Sequence, residues 1–228
     1  MHIKTVKLPS GDLQANAEYY GGVLELPVHV TDAMVTVDAG STRIHFEGGE
    51  APAGAHHLAF TIPRNHLAEA KRWLSARTEL LVLDGQDQFR LEDPWDSESV
   101  YFKGPEGMVL ELIARDRLNN QASAAFTSLH ILGVSEVGLA VPDVPQAVRE
   151  IRRTLGIPSF AGDTETFHAV GDQEGLLILV TENRPWFPTK DAASSAGYLE
   201  VELAGTPRSG TVASTAGWRV VSPGPAWR

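Results

Sequence analysis

The feature that most constrains this chain is a repeat. Three times a short alternating strand runs into a helix start marked by Asp, Asn or Pro, then an amphipathic helix, then three strand-like runs. The first copy has Ile3–Leu8, then Asp12, then a helix to Tyr20 closed by Gly21. The second has His57–Ile62, then Pro63 and Asn65, then a helix to about Arg77. The third has Glu136–Val141, then Pro142, Asp143 and Pro145, then a helix closed by Gly156. Asp or Asn supplies a capping oxygen, Pro suits the first helical turn, and Gly takes the left-handed position past the helix end. In the third helix Val144, Ala147, Val148, Ile151 and Leu155 fall on one face.

The strands that follow are read at Leu24–Val30, Met34–Asp38 and Thr42–Phe46 in copy one. Copy two has Leu80–Leu83, Ser99–Phe102 and Met108–Ile113, and copy three has Ser159–Ala161, Thr166–Val170 and Leu176–Val180. A fourth copy opens at Tyr198–Leu203 and is truncated, with Gly217–Val221 as one more strand. The predicted class is α+β, made of tandem βαβββ modules. Residues 1–116 are expected to form one domain of two modules. Residues 117–134, polar and rich in Ala, Ser and Asn, are expected to be a linker. Residues 135–228 hold the third module and the truncated fourth. The acidic stretch Asp84–Glu98, with Gly85 and Pro94 inside it, reads as a solvated loop.

Composition removes several functions. Nineteen basic against 29 acidic residues leave a net charge of −10, which opposes binding to nucleic acid or to an anionic membrane surface. Cysteine is absent, so disulfides, thiolate metal sites and thiol nucleophiles are excluded. The longest aliphatic run is Leu176–Val180, and Met1–Ser10 has no apolar signal core, so a cytoplasmic protein is expected. No phosphate loop, dinucleotide fingerprint, nucleophile elbow or helical His-Glu-x-x-His motif occurs.

Tandem βαβββ modules with the turn Tyr101-Phe102-Lys103-Gly104-Pro105-Glu106-Gly107-Met108-Val109-Leu110-Glu111 resemble the vicinal oxygen chelate superfamily. That superfamily includes glyoxalase I, fosfomycin-resistance enzymes, bleomycin-resistance proteins and extradiol dioxygenases. The resemblance implies that two modules pair and that their sheets curve into a cup. Copies one and two are the expected pair, and a homodimer is an allowed arrangement if the pairing runs between chains. The resemblance also implies that metal ligands face the cup from the first and last strands of each module.

Carried over by strand alternation, Thr5 and Lys7 face the cup from the first strand of copy one. Arg43, His45 and Glu47 do so from its last strand. In copy two His57 and Glu111 face the cup at ligand positions. The implied metal set is His45, His57 and Glu111, suited to Zn, Mn or Fe(II), with Glu111 also the candidate catalytic carboxylate. Thr5, Arg43 and Tyr101 are candidate substrate contacts, and no organic cofactor is implied. In copies three and four the corresponding positions are read as Glu136, Leu179 and Glu200, and no metal site is expected there. His2, His29, His56, His66, His130 and His168 are assigned to structure or surface. Trp95, Trp186, Trp218 and Trp227 are placed in loops or the tail, with the Pro-stiffened Arg184–Pro188 segment poised to fold over the cup or the neighbouring half.

Three functions are compatible with this set. One is a metal-dependent glyoxalase-type lyase or isomerase acting on a small molecule with vicinal oxygens. Another is an extradiol-type dioxygenase, to which Tyr101, Pro105 and Gly107 conform but Thr5 and a His-free Leu91–Val100 do not. A third is a metal-free small-molecule binder of the bleomycin-resistance type.

Overall fold

Four modules follow one another in the computed structural model, which describes residues 1–225. Module one is β1 (His2–Ser10), α1 (Leu13–Glu18), β2 (Val28–Val30), β3 (Met34–Ala39) and β4 (Thr42–Gly48). Module two is β5 (His57–Ile62), α2 (Leu67–Ser75), β6 (Phe89–Leu91), β7 (Ser97–Lys103) and β8 (Val109–Arg115). Module three is β9 (Gly133–Val141), α3 (Val144–Leu155), β10 (Ser159–Ala161), β11 (Phe167–Asp172) and β12 (Gly175–Thr181). The truncated fourth is β13 (Leu199–Ala204), β14 (Gly210–Ala213) and β15 (Trp218–Ser222), and it has no helix of its own. The α+β class and the βαβββ repeat expected from the sequence are both present. No helix among the described residues is long and apolar enough to cross a membrane.

The starts of α1 and α3 and the end of α3 have the anticipated causes, whereas α1 ends at Glu18 and runs into a π-helical turn that contains Gly21 instead of being closed by it. The Asp12 carboxylate accepts from the Ala15 amide at 2.9 Å and the Asp143 carboxylate from the Gln146 amide at 2.8 Å. Gly156 closes α3 in the left-handed region at φ 73°. In α2 the cap position falls to His66, whose side chain makes no cap bond. Asn65 is engaged instead by the 117–134 segment, donating to the Ala122 carbonyl at 2.8 Å and accepting from its amide at 3.1 Å. Two strand expectations shift. Tyr19–Val23 forms a π-helical turn, so the first hairpin strand is only Val28–Val30. The acidic stretch contains β6, whereas Leu80–Leu83 contributes only isolated bridges.

The strands form two curled sheets. The seven-stranded sheet has the order β14-β15-β13-β1-β4-β3-β2 and the eight-stranded sheet the order β10-β11-β12-β9-β5-β8-β7-β6. Within each module the first and last strands are parallel neighbours, as in β1 with β4 and β5 with β8. Between modules the first strands pair antiparallel, β1 with β13 and β5 with β9. Module two is therefore joined to module three, and module one to module four. This corrects the expected pairing of copies one and two, and with it a cup enclosed by residues 1–116 alone.

Burial explains the choice. All nine residues of β9 and all seven of β8 are buried, and only Thr61 in β5 is not. Strands covered on both faces belong at the centre of one sheet. β1 alternates between buried and partly exposed residues, as does β13, and the two one-sided strands pair with each other. A single core then joins both sheets, with Phe46, Phe60, Ile151 and Val201 in the same cluster. The 117–134 segment is packed as well: Phe126 is buried, with its ring 5.4 Å from Trp73 of α2. Both sheets are completed within one chain, so no second chain is needed to build either. Trp227 lies outside the described residues.

Candidate metal centre

The concave face of the eight-stranded sheet gathers His57 at the start of β5, Glu111 in β8 and Glu136 in β9. One ligand atom from each lies within 4.8 Å of the others. His57 Nε2 is 3.6 Å from Glu111 Oε2 and 4.0 Å from Glu136 Oε2. All three are buried, at 6%, 2% and 5% exposure. Their convergence follows from register. Ala59 is opposite both Glu111 and Glu136, so two carboxylates flank β5 on one level and His57 sits two residues earlier on the same face.

Hydrogen bonding prepares each group. His57 Nδ1 is 3.0 Å from the Val109 carbonyl. A carbonyl only accepts, so Nδ1 carries the proton and Nε2 presents a lone pair to the carboxylates, the form a ligating imidazole needs. Arg115, fully buried at the end of β8, donates through Nη2 to Glu136 Oε1 and through Nε to Ser135 Oγ at 3.0 Å. Oε2 of Glu136 is left facing His57.

Burial, followed by the charge of Glu136, pushes the Glu111 carboxyl up to about 8, against opposing hydrogen bonds from Ser99 and Tyr101 and the charge of Arg115. Burial also raises Glu136, against the opposing charge and hydrogen bond of Arg115. It lowers His57 to about 4. Once both buried carboxyls are ionised, they carry one negative charge more than Arg115 offsets. A divalent cation would supply the counterion, and an N₁O₂ donor set with a correctly protonated imidazole suits Zn, Mn or Fe(II).

Of the expected metal set His45, His57 and Glu111, the last two come together. His57 and Glu111 meet, and Tyr101 lines the same cavity, but His45, Thr5 and Arg43 lie in the seven-stranded sheet. There His45 Nδ1 is 2.9 Å from Thr36 Oγ1, Thr5 Oγ1 donates to Glu202 at 3.2 Å, and Arg43 donates to Asp38 at 3.1 Å. Glu136, which the sequence reading kept out of any metal site, is the third member of the group. Its exclusion came from pairing it with module four. The fourth ligand position is also one residue off. Ile178, not Leu179, lines the cavity, while Leu179 is buried in the core on the other face. Glu200 stands in the other sheet at the position Glu136 holds here, with Lys7 and Arg219 each at 2.8 Å, and these hydrogen bonds lower its pKa. Those two cations already hold its carboxylate, and Glu200 belongs to no metal-binding group among the described residues.

Trp186 covers the site. Its ring stacks on His57 at 5.2 Å, and its indole N–H donates to the Ala55 carbonyl at 2.7 Å. Gly138 makes room for it, since a Cβ there would fall 2.4 Å from the indole. The Pro-stiffened segment noticed in the sequence carries this residue. What remains above the ligands is a cavity of about 170 Å³.

Fold and site define the class. The chain has the vicinal oxygen chelate fold, and the resemblance drawn from the repeat and the Gly104–Gly107 turn holds in its architecture. In particular, it is similar to a candidate dioxygenase from Bacillus subtilis, with a TM-score of 0.60 at 14% identity over 98% of this chain and 86% of that one. It is also similar to glyoxalase I from Zea mays, with a TM-score of 0.58 at 14% identity over 97% of this chain and 91% of that one. No family model and no curated protein matches the sequence. At such identity the likeness carries the fold alone.

Proposed function

We propose that this chain is a divalent-metal-dependent lyase or isomerase of the glyoxalase type, acting on a small molecule with adjacent oxygens. The buried convergence of His57 Nε2, Glu111 Oε2 and Glu136 Oε2 supports this reading. Held by those three atoms, the ion would polarise a substrate carbonyl and lower the barrier to removing a neighbouring proton. In the metal-free protein the Glu111 carboxyl, near 8, holds a proton that the ion would displace, and once ionised it would take up and return a substrate proton through the oxygen that does not hold the ion. Arg115 fixes Glu136 through Oε1 and opposes the effect of burial on its carboxyl, so the two acids stand in different surroundings. Trp186 keeps water from the His57 face. A small-molecule partner and a cytoplasmic location accompany this reading.

Chelator-treated protein titrated with Zn²⁺, Mn²⁺ and Fe²⁺ is expected to take one ion per chain. His57→Ala is expected to weaken binding by at least about 100-fold, more than the loss of an outer-shell partner. Failure of all three ions to bind would discard the reading. A metal-free binding protein is the second reading, favoured by Ile178 at the fourth ligand position and by the pairing of Arg115 with Glu136. It predicts that chelated protein retains full affinity for its ligand.

A further inference from the structure

The cavity beside the His57–Glu111–Glu136 group has size, walls and charge that select a ligand. A protein cavity of about 150 Å³ lined by apolar side chains accommodates benzene. At about 170 Å³, this one has room for about one ring and a small substituent. Its walls include Trp95, Tyr101, Phe167, Ile178 and Phe187, which offer ring faces and edges rather than hydrogen-bonding groups. Arg184 lines the same cavity, with its guanidinium carbon 4.9 Å over the Phe167 ring.

Arg184 differs from the arginines along β6 to β8. Arg90 holds Asp116, Arg115 holds Glu136, and Arg117 holds Asp93 and Asp96. Arg184 is exposed and makes no ion pair among the described residues, and the partial burial of its guanidinium takes its pKa below the ordinary value. An arginine held on an aromatic wall of an apolar cavity without a carboxylate is a docking point for an anion, because a planar guanidinium matches a carboxylate in two parallel hydrogen bonds. The acids at the floor of the cavity repel the same anion and orient it outward.

We propose that the cavity takes an aromatic carboxylate of about one ring, its ring between the aromatic walls, its carboxylate on Arg184 and its far end, which bears the adjacent oxygens, toward His57. The inference rests on the reading of this cavity as the substrate site and adds the substrate class. Benzoate, benzamide and acetate test it, each titrated into chelator-treated protein with tryptophan fluorescence and ligand-observed NMR as readouts. Benzoate is expected to bind about tenfold or more tightly than either its neutral isostere or the ringless anion. Arg184→Met is expected to remove that preference while leaving benzamide binding unchanged, and Arg184→Lys to restore part of it. Metal titration of the same samples separates the two readings. His57→Ala is expected to lose the ion and keep benzoate. Benzoate selectivity in protein that takes no ion still supports the carboxylate subsite and counts against the metal reading alone. Equal binding of benzoate and benzamide, or benzoate binding unaltered by Arg184→Met, overturns the proposal.

Discussion

Glu111 shows how burial, reinforced by the charge of Glu136, sets the pH range of the centre. An ion must displace the proton that Glu111 holds up to about pH 8, whereas His57, near 4, is neutral throughout that range. Metal affinity is therefore expected to rise with pH through about 8, and not to fall off near the ordinary imidazole value of 6.5. Mn²⁺ titrations between pH 5 and 9, followed by electron paramagnetic resonance, check this, and a midpoint at 6.5 or below would assign the controlling proton to His57. Stability without metal has the opposite slope. The folded Glu111 binds its proton more tightly than the ordinary value of 4.5 allows, so its contribution falls as pH rises from 4.5 toward 8. His57, lowered from 6.5, contributes stability above 6.5 that is lost as pH drops toward 4. Glu111→Gln is expected to raise the melting temperature of the metal-free protein at pH 8 by a few degrees and to flatten its decline between pH 5 and 8. Unaltered melting curves would show that the carboxylate is not buried as described. His45→Ala, in the other sheet, is expected to leave metal affinity within about twofold of the wild type by calorimetric titration.

At the scale of elements, the cover over the site depends on one glycine in β9. The Trp186 ring is packed against Gly138 and held by the Ala55 carbonyl, so a methyl group at 138 forces the indole to move. Gly138→Ala is expected to destabilise the fold by about 1–3 kcal/mol, as overpacking does. Trp186 should then emit at longer wavelength as it becomes exposed, and denaturant unfolding followed by fluorescence reads both effects. The strand carrying Gly138 also carries Glu136, so the same element supplies a candidate ligand and makes room for the Trp186 ring. Copy three thus contributes half of the sheet that carries the candidate centre, where a supporting role was expected.

At the scale of the whole molecule, interlaced modules make the two halves of the chain dependent on each other. A 1–116 fragment keeps β1 and β5 but loses β13 and β9, the antiparallel partners of both. It also loses the contribution of α3 to the shared core. Unpaired strand edges and open apolar faces are expected to leave the fragment unfolded or aggregated by circular dichroism and size-exclusion chromatography. Mixing it with a 117–228 fragment is expected to restore a 1:1 complex. A monomeric, cooperatively melting 1–116 fragment would contradict the shared core.

What the residues determined by themselves was local. Alternation placed His57 and Glu111 on one face, Asp12, Asp143 and Gly156 bounded two helices, and the repeat implied the fold class, because each depends on neighbours a few positions apart. What only tertiary structure decided was which module met which. Strand pairing is set by how completely each strand is covered on both faces, and that depends on elements far along the chain, such as β13 beside β1. Glu200 and Glu136 occupy comparable positions in their own modules, yet only Glu136 meets His57. The sheet order brought β9 beside β5 and β13 beside β1.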